Sequence, residues 1–180
     1  MMRRWTIPVL AVVLGISVCG WIFYIPSAAL NPLRAVPSHA RPVYRSAAPD
    51  WSAFEMLPVS RDWKNLPVIF QTLEKSPFVL AVAPLGGRDR RDAWIAVSAA
   101  GPRAFLLRWK LTLFPPDGIR EIKSYGAWPV WQVDDPSLPV WMRVRFSLTE
   151  GLLICSISDN SHDIYYLLDT LDGRRPAQAD

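Results

Sequence analysis

The sequence predicts an α+β fold: one domain on a mainly antiparallel sheet of about six strands, with two or three helices packed on one face, behind an N-terminal transmembrane helix. Three observations predict it. Short apolar or alternating runs are joined by tight turn signals, as at Glu150-Gly151 between 140–149 and 152–158. The chain closes on a stretch in which Ile164, Leu167, Leu168 and Leu171 fall on one helical stripe. Trp5–Ile25 is a run of 21 residues without a charge; at about 1.5 Å per residue it matches a hydrocarbon core of roughly 30 Å.

Residues 1–4 form a short tail, and the membrane helix is expected over 5–25, with Trp5 at one end and Trp21, Phe23 and Tyr24 at the other as an aromatic belt. Arg3 and Arg4 favour a cytoplasmic N-terminus and an extracytoplasmic domain; Arg34, Arg41 and Arg45 weigh the other way. Ser27-Ala28-Ala29 leaves cleavage after Ala29 as the alternative, whereas Val18 before Cys19 spoils a lipid attachment site. Between 26 and 58 come Pro26, Pro32, Pro37, Pro42, Pro49 and Pro58, the composition of a semi-stiff linker.

The globular domain is expected over 59–173. Asn65 and Pro67 start a helix over 65–75, with Leu66, Ile69, Phe70 and Leu73 as its stripe. "PFVLAVAPL" (77–85) and "AWIAVSAA" (93–100) read as strands of one hairpin around the turn 86–92. Pro102 opens a helix, although "LRWKLTL" (107–113) also alternates like a strand. Further strands are expected near 119–125, 129–134, 140–149 and 152–158. Asn160 or Ser161 caps the closing helix, Asp163 lies in its first turn, and Gly173 ends it before a polar tail, 174–180. Two strand–turn–helix patterns, one from 93 and one from 151, suggest related halves, and the repeated Pro-Val-Trp at 129 and 139 suggests a hairpin.

Charge excludes one class of partner. Residues 1–49 hold five arginines and no acid, whereas from Asp50 onward 15 Lys or Arg face 16 Asp or Glu. The domain is thus near neutral, and a nucleic-acid interface, which needs a basic face on the domain itself, is not expected. Cys19 and Cys155 are the only cysteines, too few for a disulfide scaffold.

No motif reaches the level of a reaction, so no catalytic residue, cofactor or metal is expected. "DNSHD" (159–163) crowds Asp159, Ser161, His162 and Asp163 at a helix start, where such residues cap rather than converge. His39 is the only other histidine, too few for a His-rich zinc site. Asp134-Asp135 before Pro136 reads as a turn, because consecutive side chains on extended backbone point apart. The expected partner surfaces are Trp128, Trp131 and Trp141 as a shared aromatic platform, and Arg88, Arg90 and Arg91 on a hairpin tip facing an anionic headgroup or acidic partner. The expected function is a single-pass, membrane-anchored extracytoplasmic module that binds an envelope protein or cell-wall polymer without catalysis. The alternatives are a small envelope hydrolase using carboxylates such as Asp134, Asp159 or Asp163, and a homo-oligomerising assembly subunit.

Overall fold

The computed structural model describes residues 3–23, 30–46, 56–57, 76–84 and 91–178, with the side chains of the first helix described over 8–20. Among them are helices α1 (Arg3–Phe23), α2 (Pro102–Leu113) and α3 (Asp163–Leu171), a 3-10 helix (Pro32–Ala35), and seven strands. The strands are β1 (Arg41–Ser46), β2 (Phe78–Ala83), β3 (Ala93–Ser98), β4 (Ile119–Glu121), β5 (Val130–Val133), β6 (Arg143–Thr149) and β7 (Leu152–Ser158). They form one sheet in the order β1-β2-β3-β7-β6-β5-β4, antiparallel throughout. The helix expected over 65–75 and the hairpin tip with Arg88 and Arg90 lie outside the described residues.

The first correction concerns the layers. The sheet has seven strands rather than about six, and helices cover both faces rather than one. On one face Ala104, Leu107 and Leu111 of α2 pack on Phe78, Leu80, Trp131, Phe146 and Leu153. On the other, Ile164, Leu167, Leu168 and Leu171 of α3 and Leu33 of the 3-10 helix pack on Val79, Ile95, Val97 and Ile154. Double coverage explains why β7, "LLICSIS", is buried at every position. Burial there pushes the Cys155 thiol up to about 12, the state of an inert core residue. The placement also rules out related halves. A two-fold that exchanges the antiparallel neighbours β3 and β7 must stand normal to the sheet, and it would keep both helices on one face.

The second correction concerns the membrane helix and the bilayer contact expected through 5–25. Helix α1 begins at Arg3, so both arginines lie in its first turn. Among the described residues no helix is long and apolar enough to cross a membrane.

Part of the proline-rich stretch belongs to the sheet. Leu33, Ala35, Val36 and Ala40 are core residues, and β1 is an edge strand. Pro42, which has no N–H to donate, sits in β1 where the register shifts against β2. The chain's end returns to this stretch: Ser38 N donates to Pro176 O at 3.0 Å and Gln178 N to Val36 O at 2.7 Å. At 102–113 the helix wins over the alternating reading, because Leu107 and Leu111 face the core while Trp109 and Leu113 point to solvent. The second Pro-Val-Trp is a turn and not a strand: Met142 N donates to Pro139 O at 2.8 Å and Val140 is exposed.

The β6–β7 hairpin turns on Glu150 at φ 48° and Gly151 at φ 77°, two left-handed residues. Asn tolerates that conformation better than Glu. Glu150→Asn is expected to raise stability by about 0.5–1 kcal/mol, read as a higher urea midpoint. The exposed Arg34–Glu150 ion pair at 3.6 Å that it removes is worth little. A lower midpoint would contradict this.

Candidate functional site

A polar row crosses four strands on the α3 face of the sheet, toward the β4 edge. Register pairs Arg120 with Gln132, Gln132 with Arg145, and Arg145 with Ser156. Arg145 donates from Nε and Nη2 to Gln132 Oε1 at 3.0 and 2.8 Å, and from Nη1 to the Ser161 carbonyl. Gln132 Nε2 passes the chain on to Asp134 Oδ1 at 2.6 Å, and Asp134 Oδ2 accepts from Arg120 Nε. Burial pulls the Arg145 guanidinium below its usual value, although arginine stays charged.

Above Arg145 a groove of about 630 Å³ opens between residues 122–126 and the start of α3. Ile122, Tyr125 and Tyr165 form its walls, and Lys123 and His162 stand at its rim. The loop is fixed by a tight pair, Tyr125 N to Trp128 O at 2.8 Å and Trp128 N to Tyr125 O at 2.9 Å, with Gly126 at φ 56°. Tyr125 stacks on Trp128 with ring centroids 5.9 Å apart and lies 6.3 Å from Tyr165. The hydroxyls anchor the walls. Tyr165 donates to the Lys123 carbonyl at 3.0 Å, and Tyr125 donates to Asp169, a bond that, ahead of burial, raises the Tyr125 hydroxyl above its ordinary value.

The start of α3 differs in detail from the expected cap. His162 occupies the capping position without a side-chain bond, and Asn160 Oδ1 accepts from His162 N at 3.0 Å one step earlier. Asn160 Nδ2 donates to Asp163 Oδ1 at 2.7 Å. Burial is the leading cause that raises the Asp163 carboxyl above its ordinary 3.8, with Asp159 adding to it and hydrogen bonds from Ser158 and Asn160 opposing. The folded chain therefore holds this proton more tightly than the unfolded chain. The stability that Asp163 contributes is full below 3.8 and is lost as pH rises through the higher folded value. Asp163→Asn is expected to flatten that part of the pH–stability profile and to gain on the wild type at neutral pH. Parallel profiles for the two proteins would contradict the burial of this charge.

The aromatic platform expected from Trp128, Trp131 and Trp141 does not form. Trp131 is fully buried on the α2 face, stacked on Phe146 at 5.6 Å. Trp141 is half-buried against the same core with the Arg91 guanidinium 4.3 Å from its ring centre. Trp128 lies on the opposite face, in the cluster with Tyr125. Asp135 Oδ1 accepts from Ser137 N and Oγ at 2.9 and 2.7 Å, so that acid does close a turn. His39 packs edge-on against Tyr166 with ring centroids 5.6 Å apart. Among the described residues no three His, Cys, Asp or Glu cluster as metal ligands.

The groove residues that sequence reasoning missed are Ile122, Tyr125, Arg145 and Tyr165. One local signal existed: "RVRFSLT" places Arg145 between Val144 and Phe146, an inward charge in an apolar strand that requires a partner. Comparison with protein-family models, curated proteins and solved structures found no match to the chain.

Proposed function

We propose that this chain is a non-catalytic binding module, and that its groove takes a ring-bearing, anionic segment of a cell-wall glycan. One observation carries the reading: a cavity of about 630 Å³ walled by Tyr125 and Tyr165, with Arg145 at its base and no carboxylate among its lining residues. Aromatic faces suit the C–H faces of sugar rings, while Lys123 and Arg145 set a positive field for carboxylate groups. The wall hydroxyls and the Arg145 fork are already bonded, so the groove is held in shape before a ligand arrives. The hydrolase alternative finds less support. Asp134 is engaged by Arg120 and Gln132, Asp163 by Asn160, and neither these nor Asp159 lines the groove.

Co-sedimentation of the full chain with insoluble cell-wall polymer tests the proposal. Tyr165→Ala removes one wall and is expected to weaken binding by about tenfold or more. Equal sedimentation of wild type and variant would set the proposal aside. Release of soluble fragments from the polymer would favour the hydrolase.

A further inference from the structure

Helix α2 has a second apolar face. Opposite the buried Ala104, Leu107 and Leu111 it exposes Leu106 at 56%, Trp109 at 59% and Leu113 at 59%, and Phe114 follows at 75%. The spacing at 106, 109 and 113 repeats that of the core stripe, displaced to the solvent side. Cations border this stripe along one edge, where Arg103 and Lys110 lie; Arg108 sits nearer the core side, beside Ala104. The helix carries no acid. Arg108 is half-buried and donates from Nη2 to the Ala127 carbonyl at 3.0 Å.

We propose that α2 docks flat on an anionic lipid surface, with Leu106, Trp109, Leu113 and Phe114 entering the acyl boundary and Arg103 and Lys110 meeting headgroup phosphates. Apolar and aromatic side chains on one face with flanking cations are the arrangement an interfacial helix requires, since long basic side chains lay their stems along the apolar stripe and keep their charges in the headgroup layer. Charge decides the occupant. A second copy of this chain would bring two acid-free pairs of cations together beside the same stripe, and like charges across an apolar contact oppose pairing. An anionic bilayer supplies the complementary sign along that border. This surface is distinct from the groove, which lies on the α3 face of the sheet.

Flotation of the full chain with phosphatidylcholine vesicles, with and without phosphatidylglycerol, tests this. Helix α1 also exposes apolar side chains, Val9, Leu10 and Ile16 among them, so the decisive readout is the charge-dependent part of binding. Wild type is expected to bind the anionic vesicles about tenfold more tightly or better. The pair Arg103→Glu and Lys110→Glu is expected to abolish that preference. The pair Trp109→Ser and Leu113→Ser is expected to weaken anionic binding about tenfold with unchanged thermal unfolding, since both side chains are exposed. Equal binding to the two vesicle types, or wild-type binding by both variants, would overturn the proposal. So would light scattering that showed a dimer split by Trp109→Ser, which would assign the face to a second copy.

Discussion

Trp131→Ala is expected to lower the unfolding free energy by about 3–5 kcal/mol, a large share of the roughly 5–15 kcal/mol that holds a domain folded. Trp131 is the largest fully buried side chain, in the layer between β5 and α2. It stacks on Phe146 of the neighbouring strand, its register partner. Truncation would open a cavity bounded by two strands, which cannot collapse without breaking the sheet. The indole also has a cost: its N–H is buried and meets no acceptor among the described residues. Trp131→Phe keeps a ring against Phe146 and drops that donor, so its cost is expected below about 1.5 kcal/mol. Urea unfolding of the two variants measures the contrast. Similar losses from both would show that ring volume is not what Trp131 contributes.

Arg145→Met is expected to reduce groove affinity by at least about tenfold and to lower stability by about 1–3 kcal/mol. Methionine replaces much of the stem but leaves Gln132 Oε1 and the Ser161 carbonyl without the donors they now share. Ser161 stands at the groove's edge, so losing its anchor disturbs the site as well as the strand row. Arg145→Lys separates charge from shape. A lysine keeps the positive field but cannot reach Gln132 and Ser161 as a planar fork does. Partial affinity in Lys and none in Met would assign the base of the groove to both roles. Wild-type affinity in both would remove Arg145 from the site.

Local patterns in the chain carried much of the sheet. The run 152–158 became β7 at those limits, Val130–Val133 fell inside the segment expected as a strand, and the β2–β3 hairpin followed from two apolar runs flanking a charged turn. The closing helix buries the stripe its period announced, and Gly173 follows it at φ 75°. What the chain hid was non-local. An all-buried strand such as "LLICSIS" has the same letters whether one helix layer covers it or two. Proline content disguised β1, because Pro42 is compatible with an edge strand. The uncharged run at the N-terminus suggested a complete membrane crossing, which no helix among the described residues makes.

The site was harder to read for a related reason. Arg120, Gln132 and Arg145 are separated by 12 and 13 positions in sequence and become neighbours only through strand register. The tryptophans misled because composition marks aromatic residues without assigning a face: alternation in β5 turned Trp131 inward, while Trp128 lies in the loop before it. Tyrosines, which carried little weight in composition, became the groove lining because the loop at Gly126 and the start of α3 bring their rings to 6.3 Å of one another.

The central claim is that the groove between residues 122–126 and the start of α3 is the binding site. Amide chemical-shift mapping of the full chain with soluble anionic cell-wall glycan fragments tests it most directly. The expected result is perturbation concentrated at Ile122–Gly126, Arg145 and Ser161–Tyr165, lost in Tyr165→Ala. Perturbation centred instead on the cavity lined by Asp134, Asp135 and Arg143, or no perturbation at saturating fragment, would contradict the claim.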